Sequence, residues 1–241
     1  MTRLHAAGYL IAAAVFGAAL ACGPTALAGP GTAGGATGVA GAAGTLQEAT
    51  GWYGYVVTGK TYTSTTADWI MPSLSCGTSG DENYVEIWTG LDGYSSDTVE
   101  QIGAAAQCED RTTYYAGWYD LYPSEPVDFS NTLRPGDQLD AAVSYASGKF
   151  TLTLKDATQG WTQTVTKAVA GAARSSAESV VGAPSTLSCE PAETLAAFTG
   201  DTVDGKALES QDPIAVTGGD PYIAVSPVNG GQFTVTCKSA P

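Results

Sequence analysis

Almost all of the chemistry open to this chain has to be carried by carboxyls, amides, hydroxyls or lysines. Its single histidine is His5, near the start. If that region is removed as a leader, the working protein has no imidazole. A Ser-His-Asp triad, a Cys-His dyad and a His-ligated zinc are then excluded. Glu86, Asp120 and Glu178 are acids placed within strand-like runs, and two such acids across a groove would suit glycoside hydrolysis. A pepsin-type site needs Asp-Thr-Gly or Asp-Ser-Gly. The nearest strings, Asp97-Thr98-Val99 and Asp201-Thr202-Val203, lack the glycine. Gly54-Tyr55-Val56-Val57-Thr58-Gly59-Lys60-Thr61 matches a phosphate loop letter for letter, but its inner residues are β-formers and no helix follows. The cysteines are too widely spaced for a paired-ligand metal knuckle. No metal and no cofactor is expected. Lys and Arg total 10 against 24 Asp and Glu, a net charge of -14 that argues against a nucleic-acid partner.

The elements that must position these groups read as strands. Lys149-Phe150-Thr151-Leu152-Thr153-Leu154-Lys155 alternates with period two. From Tyr84 to Leu91, Val85, Ile87 and Leu91 share one face, and Tyr84, Glu86 and Trp88 the other. From Tyr114 to Tyr122, the residues Trp118, Asp120 and Tyr122 lie on one side. Similar runs cover 53–58, 138–145, 161–169, 175–181, 222–226 and 232–237. Turn signals such as Asp92-Gly93, Pro135-Gly136-Asp137 and Asn229-Gly230-Gly231 separate them. Short strands punctuated by turns predict an all-β, antiparallel sandwich or barrel. Aromatics mixed with acids on a second strand face suit a ligand groove, or else a second, partly polar core layer.

Residues 1–28 read as a secretory signal: Arg3, an apolar run over 7–21, and Ala26-Leu27-Ala28 as a cleavage site. Ala19-Leu20-Ala21-Cys22 offers a lipid-attachment alternative. Residues 29–50 form a Gly/Ala-rich linker or propeptide, with seven Gly and five Ala among residues 29–44. The folded domain is predicted over 51–241, outside the cell and free of the membrane once processed. Removing the leader leaves Cys76, Cys108, Cys189 and Cys237, an even set expected to form two disulfides. Of three possible pairings, Cys76–Cys108 with Cys189–Cys237 is favoured, because each pair brackets one compact stretch.

Taken in order, several strings resemble a known family. They are Trp52-Tyr53-Gly54-Tyr55, Ala67-Asp68-Trp69-Ile70-Met71-Pro72-Ser73 and Trp88-Thr89-Gly90-Leu91-Asp92-Gly93. After these come Glu100-Gln101-Ile102-Gly103, Trp118-Tyr119-Asp120-Leu121-Tyr122-Pro123, Pro135-Gly136-Asp137 and Ser176-Ala177-Glu178-Ser179-Val180-Val181. The series resembles the glutamic peptidases, or eqolisins, of the scytalidopepsin and aspergilloglutamic type. The resemblance implies a concanavalin A-like sandwich of two antiparallel sheets with a concave groove. It also implies a secreted acid endopeptidase, a monomer acting on proteins or peptides. Gln101 and Glu178 match the family's catalytic pair. Trp52, Trp88, Asp92 and Trp118 match positions that line or support the groove, and Asp120 and Tyr122 fall in its aromatic string. The sequence departs from the family where Ser179 follows Glu178, where Gly182 replaces an acid, and where Asp120-Leu121 replaces Glu-Trp. A lectin-like carbohydrate-binding module and a glycoside hydrolase on the same architecture are the alternatives.

Overall fold

The structure is a computed structural model. It describes residues 51–76, 83–94, 96–184, 187, 189 and 192–239. The leader and linker expected over 1–50 lie outside the described residues, apart from the domain start at Gly51. In chain order the strands are β1 (Trp52–Thr58), β2 (Ser64–Ile70), β3 (Tyr84–Asp92), β4 (Val99–Glu109) and β5 (Thr112–Tyr122). They continue with β6 (Val127–Asp128), β7 (Gln138–Ala146), β8 (Lys149–Asp156), β9 (Trp161–Lys167) and β10 (Ser176–Gly182). The last are β11 (Glu193–Val203), β12 (Lys206–Ala207), β13 (Ile214–Thr217), β14 (Ile223–Val225) and β15 (Phe233–Cys237). One 3-10 turn, Leu208–Gln211, lies between β12 and β13.

Two antiparallel sheets result. One runs β13-β1-β10-β3-β4-β5-β6 and the other β14-β15-β11-β2-β7-β8-β9, with β12 paired to β11. Of the sandwich and the barrel that the alternation allows, this is the sandwich, as the resemblance implies. In β8, Phe150, Leu152 and Leu154 point into the core while Thr151 and Thr153 do not. Ile87, Ile102 and Leu121 meet them from the first sheet in one continuous apolar core. The phosphate-loop string is strand β1 followed by a turn at Gly59-Lys60, and no helix follows it.

The alternation rule passes over β4 and β11 for physical reasons. Most of β4 is covered on both faces, so Ala104, Ala105 and Ala106 give no polar–apolar alternation. The pairing of β11 shifts between Thr194 and Ala196 and again between Thr199 and Thr202, which breaks its period. The two disulfides are Cys76–Cys108 and Cys189–Cys237, as the bracketing argument favours.

Candidate active site

The outer face of the first sheet gathers the candidate residues because of register alone. Strands β1, β10, β3, β4 and β5 lie side by side, and one row across them reads Val56, Glu178, Gly90, Gln101, Asp120. Glu178 and Gln101 are therefore two strands apart, about 9–10 Å at the usual strand spacing. They meet nonetheless: Gln101 Nε2 donates to Glu178 Oε1 at 2.9 Å. The intervening residue makes this possible. A Cβ on Gly90 would stand 2.4 Å from Gln101 Cγ and 2.6 Å from Glu178 Oε1. Glycine inside a strand often marks such a close approach.

A testable consequence follows for Gly90→Ala. The added methyl has to push the two side chains apart. A displacement of about 1 Å at a reacting centre can lower the rate on the order of 10²-fold. We expect a loss of that size in kcat on a peptide substrate, with the native circular-dichroism spectrum kept. Wild-type turnover in a folded variant would show that the close approach is unimportant.

Both members of the pair are buried, Gln101 at 6% exposure and Glu178 at 1%. Burial pushes the Glu178 carboxyl well above the ordinary carboxylate range; the Gln101 amide opposes this and Asp92 adds to it. The second oxygen, Oε2, has no protein partner. Behind the sheet, Thr89 Oγ1 donates to the Glu178 carbonyl at 2.8 Å. Its single proton is then used, so Thr65 and Ser179 donate to Thr89. These hydroxyls anchor the Glu178 backbone from within the core.

The next row on this face reads Val180, Trp88, Gly103, Trp118. Trp88 lies across two more bare positions: a Cβ on Gly103 would come within 2.6 Å of Trp88 Cβ, and one on Gly182 within 2.8 Å of Trp88 Cζ3. Trp52 packs edge-on to Trp88 with centroids 5.1 Å apart, and Trp118 is tilted against it at 6.0 Å. With Val56, Val180 and Val216 these rings form a second, small apolar cluster. The aromatic face is thus a packed floor more than an open groove. Trp88 and Trp118 are nearly buried, while Trp52 and Tyr122 are half-buried. The indole N–H groups of Trp88 and Trp118 have no protein partner.

Acids surround the two tryptophans. Glu86 is pushed up to about 7 by burial and by Asp128 and Asp120. Asp120 is raised to about 6 by burial, against the Leu121 backbone N–H. Asp92 stands apart from the floor. It is fully buried, and its carboxylate accepts from Arg174 N at 2.6 Å, Ser175 N at 2.7 Å, Thr98 Oγ1 and Ser175 Oγ. Asp92 therefore ties the segment before β10 to the end of β3. Gly90 is not among the site residues singled out from the sequence. Its place within the Trp88–Gly93 string was the available signal.

Residues 50–239 match the Peptidase A4 family. Aspergillopepsin-2 of Aspergillus niger is 31% identical over 150 residues, which is 53% of this chain and 52% of that protein. The alignment thus spans about half the length of this relative. Scytalido-glutamic peptidase, solved with a transition state analog inhibitor, superposes with a TM-score of 0.63 at 23% identity, over 80% of this chain and 99% of that one. A second structure of scytalido-glutamic peptidase, with a peptide based transition state analog, gives 0.60 at 25% identity over the same shares. SCP-B of the Eqolisin family, in complex with the tripeptide Ala-Ile-His, gives 0.59 at 22% identity, again over 80% and 99%. These structures share the two-sheet sandwich. With 50–239 matched, the chain belongs to the Peptidase A4 family, the glutamic peptidases that its ordered motifs resemble.

Proposed function

We propose that this protein is a secreted acid endopeptidase that hydrolyses peptide bonds with Gln101, Glu178 and an activated water. The observation that carries this reading is the Gln101–Glu178 contact over Gly90. It places one proton-exchanging group beside one neutral donor on a face floored by indoles.

The raised proton affinity of Glu178 sets the order of events. A carboxylate at this position would first take a proton from water. A carboxyl raised this far instead rests as the acid at low pH. Glu178 Oε1 accepts from Gln101, so the proton sits on Oε2, the oxygen with no protein partner. From there it passes to the scissile carbonyl oxygen as water attacks the carbon. The carboxylate left behind takes a proton from the attacking water, giving a neutral tetrahedral diol. Glu178 then protonates the leaving nitrogen and recovers a proton from a diol hydroxyl as the C–N bond breaks. Gln101 has a second Nε2–H free to donate to the developing oxyanion. Every proton is returned, and no metal or cofactor takes part. The active form is the protonated one, so activity is present below the folded pKa of Glu178 and lost as pH rises through it.

Protein and peptide chains are the substrates of this reading. Trp52, Trp88, Trp118, Asp120 and Tyr122 supply apolar contact and polar ends for an extended peptide, and Asp92 holds the segment that leads into β10. Two disulfides accord with an oxidising, extracellular setting. The test is digestion of casein or haemoglobin between pH 2.5 and 6 with pepstatin present. Pepstatin-resistant release of peptides is expected. No release of peptides, or release of sugars from a polysaccharide instead, would overturn the reading.

A further inference from the structure

Glu100 immediately precedes Gln101 on β4, and its side chain lies on the opposite, core-facing side of the strand. It is 0% exposed, and neither carboxyl oxygen has a donor from the protein. Its hydrogen-bonding neighbour is the Asp92 carboxyl on the adjoining strand β3, where Glu100 pairs with Leu91, the residue before Asp92. The two are differently served. Asp92 receives two backbone N–H groups and two hydroxyls, while Glu100 receives none. When two buried carboxyls touch, they cannot both ionise. Four donors already serve Asp92 and none serves Glu100, so the proton between them belongs to Glu100. Burial, then Asp92, Glu178 and Asp120, push the Glu100 carboxyl up to about 9. Of these acids Asp92 lies beside it, while Glu178 on β10 and Asp120 on β5 act on it through the sheet from the outer face. The salt bridges among the described residues, Lys60–Asp204 and Lys155–Asp140, involve none of these acids.

The pair also stands at a mechanical junction. Glu100 is one residue from Gln101. Asp92 holds Arg174 and Ser175, and β10 begins at the next residue, bringing in Glu178. One shared proton thus links the strand of the amide to the lead-in of the strand of the acid, from behind the sheet. We propose that Glu100 is a positioning residue that donates this proton to Asp92 and so fixes the spacing of Gln101 and Glu178. It touches neither substrate nor the reacting atoms. This rests on the reading of Gln101 and Glu178 as the catalytic pair.

Two variants of the full chain test it. Glu100→Gln keeps an N–H donor toward Asp92 and cannot ionise. It should keep kcat at pH 4 within about threefold of wild type. Its melting temperature should depend less on pH between 5 and 8 than that of wild type. Glu100→Leu removes the donor. In folded protein at pH 4 it should lower kcat about tenfold or more, with KM changed less than about twofold, the mark of lost geometry rather than lost binding. If Glu100→Gln melts with the wild-type pH dependence, the proton is not on Glu100 and the proposal is wrong. If folded Glu100→Leu turns over at the wild-type rate, Glu100 positions nothing. A wild-type chain that cleaves no peptide overturns the peptidase reading instead. The melting curves need no substrate and still decide where the proton sits, including where Glu100→Leu does not fold.

Discussion

Glu178→Gln should bring peptide hydrolysis at pH 3–4 down to near background, on the order of 10³-fold or more, as expected when the one proton-exchanging group is removed. The substitution is nearly isosteric. A glutamine carbonyl can still accept from Gln101 Nε2, so the contact over Gly90 is kept while the proton carrier is lost. A buried carboxyl with raised proton affinity is replaced by a neutral amide, and the fold at pH 4 should not weaken. Gln101→Glu tests the other half. It sets a second carboxyl against Glu178, and the two titrate as a coupled pair with one proton held more tightly. Above the lower apparent pKa the oxyanion loses its neutral donor, a loss typically on the order of 10²–10³ in rate. The measurements are kcat and KM on one peptide across pH 2.5–6, with thermal melting as the control for folding. More than about a tenth of wild-type activity in either variant would sink the assignment. Glu86 and Asp120, which retain protons into the weakly acidic range, would be next to test.

How legible the site is in the sequence depends on what each residue does. Tyr84 to Asp92 and Tyr114 to Tyr122 show their two faces because one side packs into the core and the other carries Trp88, Trp118 and the acids. The strand that bears Gln101 shows no such alternation, since Ala104, Ala105 and Ala106 cover both of its sides. Without the ordered motifs, Gln101 would pass for an ordinary polar residue. Gly90, Gly103 and Gly182 were visible as letters, but their purpose needs the register that sets Trp88 and the Gln101–Glu178 contact over them. Glu100 was hidden for a different reason. A charged residue beside a polar one looks solvent-facing, and only the register that sets Glu100 between Leu91 of β3 and Leu121 of β5 on the core side shows a buried acid. Asp92 itself was expected at the groove, and the backbone amides of Arg174 and Ser175 draw its carboxylate into a supporting role.

The fold should become more stable as pH falls from 7 to 4, the reverse of ordinary acid unfolding. In most proteins the native state holds carboxylates in favourable pairs, and acid removes that stability. Here the clearly displaced buried acids lean the other way. Burial raises Glu178 and Asp201 well above their usual range, Glu100 to about 9, Glu86 to about 7 and Asp120 to about 6. Asp204 is lowered, since the Thr63 N–H and hydroxyl and Lys60 outweigh its burial. Glu209, which accepts from backbone N–H groups, is lowered as well, so two sites stand against these five. A carboxyl with a raised folded pKa binds its proton more tightly when native than when unfolded. Its contribution is complete below the unfolded value near 4, and it is lost as pH climbs toward the folded value. Each such proton is worth about 1.4 kcal/mol per pH unit within that window. Glu100 alone gives about 1.4 kcal/mol per pH unit between 5 and 7, or roughly 3–6 °C in melting temperature for a domain of this size, and Glu178 adds to it in the same direction. Little opposes this at low pH. The whole chain has 10 Lys and Arg, including Arg3 of the expected leader, so protonating the acids leaves little positive charge to repel itself. Melting followed by circular dichroism from pH 3 to 8 decides the matter. The melting temperature should peak at or below pH 4.5 and fall toward neutrality, and Glu100→Gln and Glu178→Gln should each flatten the fall. A melting temperature that is level, or that rises with pH over this range, would mean that these acids are not holding their protons in the folded protein.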